Sequence, residues 1–434
     1  MCCDITKGDT VEARSDVIGI LARSRLALDG GRPVRDRPYP SWPVFRPDEI
    51  AAVTATMRRG EVTYWTGREG RRFEREFADA VGACHGLAVA NGTVALEIAL
   101  RVVGIGPGDE VVVPARSAIA LVSCVAALGA RPVFADVDGE SQTITVDCVR
   151  RVLTERTRAV VAVHLAGWPV DVDALRDLAA THGLVVIEDC TQAHGATLRG
   201  RPVGTLGDIS VWSFGCDSIL STAGEGGMVT TDDAAYYRAA WSYTDHGRRF
   251  TVMDAGPGPD PDDLAGYDRC GPGIVHDSFG TNARMHELAA AVGRTGLAHL
   301  PEMVERRRDN AMLLALRLRD VAALRLPAPP PHVGHAYYRW YAFVRADLLG
   351  GGWSRDRVVA AVRAEGIPCF AGCRGEVYQE AAVPERWQPA VPLPVAGELG
   401  RTAIALLVHP TLDPSDISDA SDALIKVMSV AAPG

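Results

Sequence analysis

Val186-Ile187-Glu188-Asp189-Cys190-Thr191-Gln192-Ala193-His194-Gly195 decides how this chain is read. A short β-branched apolar run closes on two carboxylates, the pattern of a strand buried on both faces that ends at the edge of a parallel sheet. An acid in that position also caps the next element in many α/β proteins, so the stretch points to a fold before it points to a site.

Working outward, similar apolar runs occupy residues 111–113, 132–134, 159–163 and 184–187, and helical spacing fills residues 118–128, 146–153 and 172–180. The alternation predicts a mainly parallel α/β sheet with helices on both faces. Residues 1–45 read as a proline-rich N-terminal arm, 46–300 as a large α/β domain and 301–434 as a smaller C-terminal domain. Within the last, strands are expected at 341–344 and 403–408. The Gly-, Pro- and Asp-rich run 253–273 reads as a long loop or lid, followed by a helix from 287 past 308.

The 434 residues can bury a large core, and 47% hydrophobic with 23% charged residues describes an ordinary globular composition. A net charge of -9 argues against nucleic acid or an anionic membrane as the main partner. No run is long and apolar enough for a transmembrane span, and the first residues carry no signal-like segment. Ten scattered cysteines without CxxC or zinc-finger spacing suit reduced thiols in the cytoplasm, and no metal site is expected. Lys7 and Lys426 are the only lysines.

Asn91-Gly92-Thr93-Val94-Ala95-Leu96 follows an apolar strand and opens a helix, a place where free N–H groups and a hydroxyl accept phosphate or where Asn merely caps. Further along stands Ser213-Phe214-Gly215-Cys216-Asp217-Ser218, closed by Gly224-Glu225-Gly226-Gly227. With Tyr64-Trp65-Thr66-Gly67, His164-Leu165-Ala166-Gly167-Trp168-Pro169, Asp245-His246-Gly247 and Gly280-Thr281-Asn282, these motifs resemble the DegT/DnrJ/EryC1/StrS family of sugar aminotransferases, from about residue 42 to 409. The resemblance implies aminotransferase fold type I: a large domain with a seven-stranded-type, mainly parallel sheet, and a smaller C-terminal α/β domain.

It also implies a site for pyridoxal phosphate. Gly92, Thr93 and Ser213 match phosphate ligands, Asp189 the partner of the pyridine nitrogen, and Gln192 a residue against the ring. Asn282 and the segment around His246 match contacts made across a homodimer with shared active sites.

The departures concentrate at one place. Ser218 stands where the family pattern presents the lysine that forms an imine with the cofactor, and a hydroxyl cannot do so. Ala118 and Ala283 replace usual aromatics, the first of which stacks on the pyridine ring. Pyridoxal or pyridoxamine phosphate is therefore expected to be held noncovalently, or not at all. Asp217, His194 and His246 are the nearest candidates for proton transfer beside Ser218. Three readings stay open: an enzyme of specialised metabolism, such as antibiotic biosynthesis, acting on a nucleotide-sugar, cyclitol or related carbonyl compound by elimination, isomerisation or cyclisation; a non-catalytic homologue partnering an active aminotransferase; and an ordinary pyridoxal phosphate-dependent sugar aminotransferase carrying an engineered Lys-to-Ser change at residue 218.

Overall fold

The structure is a computed structural model, which describes residues 25–250 and 275–433. The chain passes through α1 (Pro47–Arg59) and α2 (Glu69–Val81) and then alternates β1 (His85–Val89), α3 (Gly92–Val102), β2 (Glu110–Pro114), α4 (Ile119–Ala127), β3 (Arg131–Ala135), α5 (Val146–Arg150), β4 (Thr157–Val163), α6 (Val172–His182) and β5 (Val185–Asp189). Next come β6 (Ile209–Ser213), β7 (Gly227–Thr231) and α7 (Ala234–Thr244). The long helix α8 (Glu287–Leu318) leads to β8 (Leu324–Arg325), β9 (Trp340–Val344), α9 (Arg355–Ala364), β10 (Cys369–Phe370), α10 (Pro394–Thr402), β11 (Ala403–Leu406) and α11 (Pro414–Ala431).

Seven strands form the large sheet in the order β1-β7-β6-β5-β4-β2-β3, parallel except at β7, which runs against both neighbours. Val111, Val112 and Val113 are fully buried, as strands covered by helices on both faces require. The helices dock by apolar stripes: Phe73, Phe77 and Val81 of α2 recur at four-residue spacing and are all buried. The second sheet, β8-β9-β11-β10, is antiparallel throughout and packs on α9 and α11.

Several sequence boundaries move. Helix α5 stops at Arg150, and Ala118 is the extended residue that precedes α4. The expected division at 300/301 falls inside the unbroken α8, whose buried residues pass from the large core (Met303, Val304) to the small one (Ala311, Leu314). The described part of the arm, residues 25–45, is strapped to the small domain. Arg35, 4% exposed, pairs with Asp416 at 2.8 Å and Asp419 at 2.7 Å, and Leu26 joins the small core. The loop expected at 253–273 lies outside the described residues, as does Lys7. All seven cysteines among the described residues are unpaired, and no helix there is long and apolar enough to cross a membrane.

Candidate active site

Parallel strands deliver their carboxyl ends to one edge of the sheet, and here that edge carries His164 after β4, Asp189 at the end of β5 and Ser213 at the end of β6. Asn91 caps α3 by accepting the Val94 N–H at 3.0 Å, which aims the start of the helix at Ser213. The approach is close: a Cβ on Gly92 would lie 2.6 Å from Ser213 Cβ. Glycine is required there; Asn91 takes the N–H groups of Val94 and Ala95, so those of Gly92 and Thr93 are the ones placed beside the serine hydroxyl. Thr93, the next residue, is exposed.

Ser218 belongs to the same cradle. Its N–H donates to Gly215 O at 3.1 Å, its carbonyl accepts from Trp42 Nε1 at 2.9 Å, and the residue is 4% exposed. A Cβ added at Gly215 would stand 3.7 Å from Ser213 Oγ and 3.8 Å from Ser218 Oγ, so the two hydroxyls border one small space. Asp189 Oδ1 accepts the Thr191 N–H at 3.1 Å, and burial raises its carboxyl above the ordinary aspartate range. Such a group gains from a cation placed against it. Gln192 Oε1 takes the Ala166 N–H at 2.7 Å.

Behind Asp189 lies a satisfied network. Glu188 accepts from His164 Nε2 (3.0 Å), from the N–H groups of Gly204, Leu206 and Gly207, and from Ser210 Oγ. Burial works to raise its carboxyl, but the bonds from His164, Gly204 and Gly207 prevail and hold it below the usual range. His164 Nδ1 accepts the Val170 N–H at 2.9 Å, which leaves Nε2 as the donor to Glu188. With Cys190 the two make a compact group of metal-ligand types, yet both ring nitrogens are already engaged.

The three proton-transfer candidates separate. His194 is fully buried against Trp212 and Phe214, neither nitrogen has a partner, and burial drops it to about 3. It is a neutral core ring, which corrects its expected part as an acid beside Ser218. His246 is exposed on a left-handed turn with φ 62°, its N–H bonded to Thr281 O, and Asn282 next to it is also exposed. Asp217 is held at the entrance to the small domain, where it accepts from the Tyr338 hydroxyl and lies 3.5 Å from Arg339 Nη2.

Ala118 is exposed, in keeping with an open face above α4. Ala283 is not part of that opening. It is 4% exposed in the large core, because Ala90 N–H donates to its carbonyl and its own N–H donates to Thr244 O. Lys426 is equally committed elsewhere, buried with Nζ 2.8 Å from Glu365.

Sequence reasoning missed the residues that close the site from the other side. Arg307 of α8 is 1% exposed, lies 5.3 Å over the Trp42 ring, and falls to about 9 through burial. Tyr338 and Arg339 come from the approach to β9. Only an arginine among aromatics, Tyr337-Tyr338-Arg339-Trp340, marked that stretch.

The model of the DegT/DnrJ/EryC1/StrS aminotransferase family matches residues 43–425. The chain is 33% identical over 430 residues to L-glutamine:2-deoxy-scyllo-inosose aminotransferase of Streptomyces kanamyceticus, covering 94% of this chain and 98% of that protein. It is 34% identical to UDP-N-acetyl-3-dehydro-alpha-D-glucosamine 3-aminotransferase of Acidithiobacillus ferrooxidans, over 82% of this chain and 88% of the other. The solved aminotransferase of Psychrobacter cryohalolentis superposes with a TM-score of 0.83 at 42% identity, over 89% of this chain and 98% of that one. With the sheet order, the carboxyl-edge site and these matches together, the chain belongs to the DegT/DnrJ/EryC1/StrS aminotransferase family of pyridoxal phosphate-dependent enzymes.

Proposed function

We propose that this chain holds pyridoxamine or pyridoxal phosphate without a covalent anchor and acts on a cyclitol, nucleotide-sugar or related carbonyl compound in specialised metabolism, by elimination, isomerisation or cyclisation. The observation that carries the reading is the pairing of Ser218 with a cradle that keeps its phosphate end and its carboxylate at Asp189. The helix start at Gly92 and Thr93, with Ser213, suits the phosphate, and Asp189, raised by burial, suits a protonated pyridine nitrogen. The relatives named for cyclitol and UDP-sugar substrates support the substrate class.

The bound ring would supply an electron sink. The chain's own groups would do the rest. The Ser213 hydroxyl would hold the phosphate end, Gln192 would lie against the ring, and Asp217 Oδ2, which accepts a hydrogen bond from the Tyr338 hydroxyl, would handle a proton next to Ser218. Asn282 and His246 would reach the neighbouring site in a homodimer located in the cytoplasm. Trp42, bonded to the Ser218 carbonyl, keeps the loop in register.

Two titrations test this. Pyridoxamine phosphate should raise the Tm of the native protein, and pyridoxal phosphate should bind without a lasting violet band, whereas Ser218→Lys should gain that band. Absence of any stabilisation by either form overturns the reading and favours a non-catalytic partner of an active aminotransferase. Transamination by Ser218→Lys at full rate would favour an ordinary aminotransferase that lost only its anchor.

A further inference from the structure

A groove of about 580 Å³ lies between the loop after β3, the loop after β4 and the proline-rich connection at 328–333. Small-molecule sites typically measure roughly 300–1,000 Å³, so a ligand of several rings or fewer fits. Its apolar lining includes Ile144, Trp168, Leu198 and Val333, and neither Asp189, Ser213 nor Ser218 borders it. Backbone bonds fix the walls. Val333 pairs with Leu198 in antiparallel register, and the Arg199 N–H donates to the His332 carbonyl at 2.7 Å.

Four carboxylates, Asp138, Glu140, Asp147 and Asp171, stand in the lining, and no lysine or arginine does. Three are matched from outside the groove: Glu140 by Arg325 at 2.9 Å, Asp147 by Arg150 at 2.8 Å and Asp171 by Arg199 at 2.7 Å. Asp138 has no such partner. Its Oδ1 accepts from the N–H groups of Glu140 (3.0 Å) and Ser141 (2.8 Å) and from the Ser141 hydroxyl (3.0 Å), which fixes the carboxylate, while Oδ2 meets no donor among the described residues.

Trp168 adds an independent signal. The residue is 8% exposed and held in a T-shaped contact with His335 at 5.6 Å, yet its indole N–H donates to no acceptor among the described residues. An anchored carboxylate oxygen without a cation suits an ammonium group, an indole N–H suits a hydroxyl oxygen, and an aromatic face suits the apolar face of a saturated ring. We propose that this groove is a second binding site, separate from the cofactor cradle, for an amino sugar whose ammonium group meets Asp138 Oδ2 and whose ring hydroxyl accepts from Trp168 Nε1. Acidic lining alone attracts any cation; the buried indole is what selects a polyol. The site does not depend on the cofactor reading.

Calorimetry on the full chain compares three probes. The glucosamine disaccharide carries rings and charges, its diacetyl form keeps the rings without the charges, and spermidine keeps charges without rings. The disaccharide should bind at least tenfold more tightly than either of the others. Asp138→Asn, which preserves shape and removes charge, should abolish the preference over the diacetyl form. Trp168→Phe, which keeps a ring but no N–H, should weaken the disaccharide roughly threefold to tenfold, and it carries the comparison if Asp138→Asn does not fold. Saturating pyridoxamine phosphate should leave the disaccharide affinity unchanged; competition places the sugar in the phosphate cradle and overturns the groove, whereas failure of pyridoxamine phosphate to bind overturns the cofactor reading alone. No binding of the disaccharide, equal binding of the diacetyl form or of spermidine, or undiminished binding by the variants also overturns the proposal.

Discussion

His164 and His194 are both fully buried on the large domain, yet one sits in a closed circuit and the other in none. Every polar atom of the His164 and Glu188 pair meets a donor or acceptor, and the pair ties the end of β4 to β5 and to the turn at 204–207. His194 and Arg307, a few residues away in sequence or across α8, keep buried nitrogens with no partner. The first region is a platform that holds Asp189 in place. The second is an interior whose polar groups cost stability in the protein alone, and such groups persist where they shape a pocket or await a ligand.

The largest test of that contrast removes the centre of the circuit. Glu188→Ala orphans the N–H groups of Gly204, Leu206 and Gly207 together with His164, and should cost about 3–5 kcal/mol in urea unfolding. A loss below about 1 kcal/mol would erase the distinction between the regions. Because the Glu188 carboxyl is held low, its contribution is complete above the ordinary glutamate range and disappears as pH falls through its folded value.

His194→Phe should act in the opposite direction. With a folded value near 3 against about 6.5 unfolded, the imidazole contributes fully above pH 6.5 and progressively less as pH falls toward 3. The advantage of the phenylalanine variant over the native chain should be about 2 kcal/mol larger at pH 5 than near pH 7. Equal pH profiles would show that the ring is not the buried neutral group described.

Two smaller effects concern the ligand. Ser213→Ala should weaken pyridoxamine phosphate by about 1.5–3 kcal/mol, the worth of one hydrogen bond to a charged group, without altering urea unfolding by as much. Ala118→Phe should tighten it by about 0.5–1.5 kcal/mol, because the exposed site before α4 has room for a ring to stack. Fluorescence or calorimetric titration reads both.

Much of the platform was legible residue by residue. Val111 to Val113 announced a strand buried on both faces, Asn91 announced the cap of α3, and Asp189 announced a strand end, because burial and capping leave local marks in composition and spacing. The buried arginines were not legible. Arg116 and Arg307 come from distant segments, and nothing local distinguishes an arginine that will be buried without an anion from one that will lie in water. Ala283 shows the same limit, since it read as one of the departures around Ser218 until the backbone placed it in the core.

By itself, then, the sequence determined the alternating α/β order, the family likeness, the absence of an amine at Ser218 and of any spare lysine beyond Lys7 and Lys426. Tertiary structure alone decided that Lys426 is locked against Glu365, that His194 is a core ring, that Ser213 and Ser218 border one space, and that Arg116 and Arg307 are fully buried. The physical reason is range: strand alternation, helix caps and turn glycines act over a few neighbours, whereas desolvation and ion pairing depend on which distant segments the folded chain brings together.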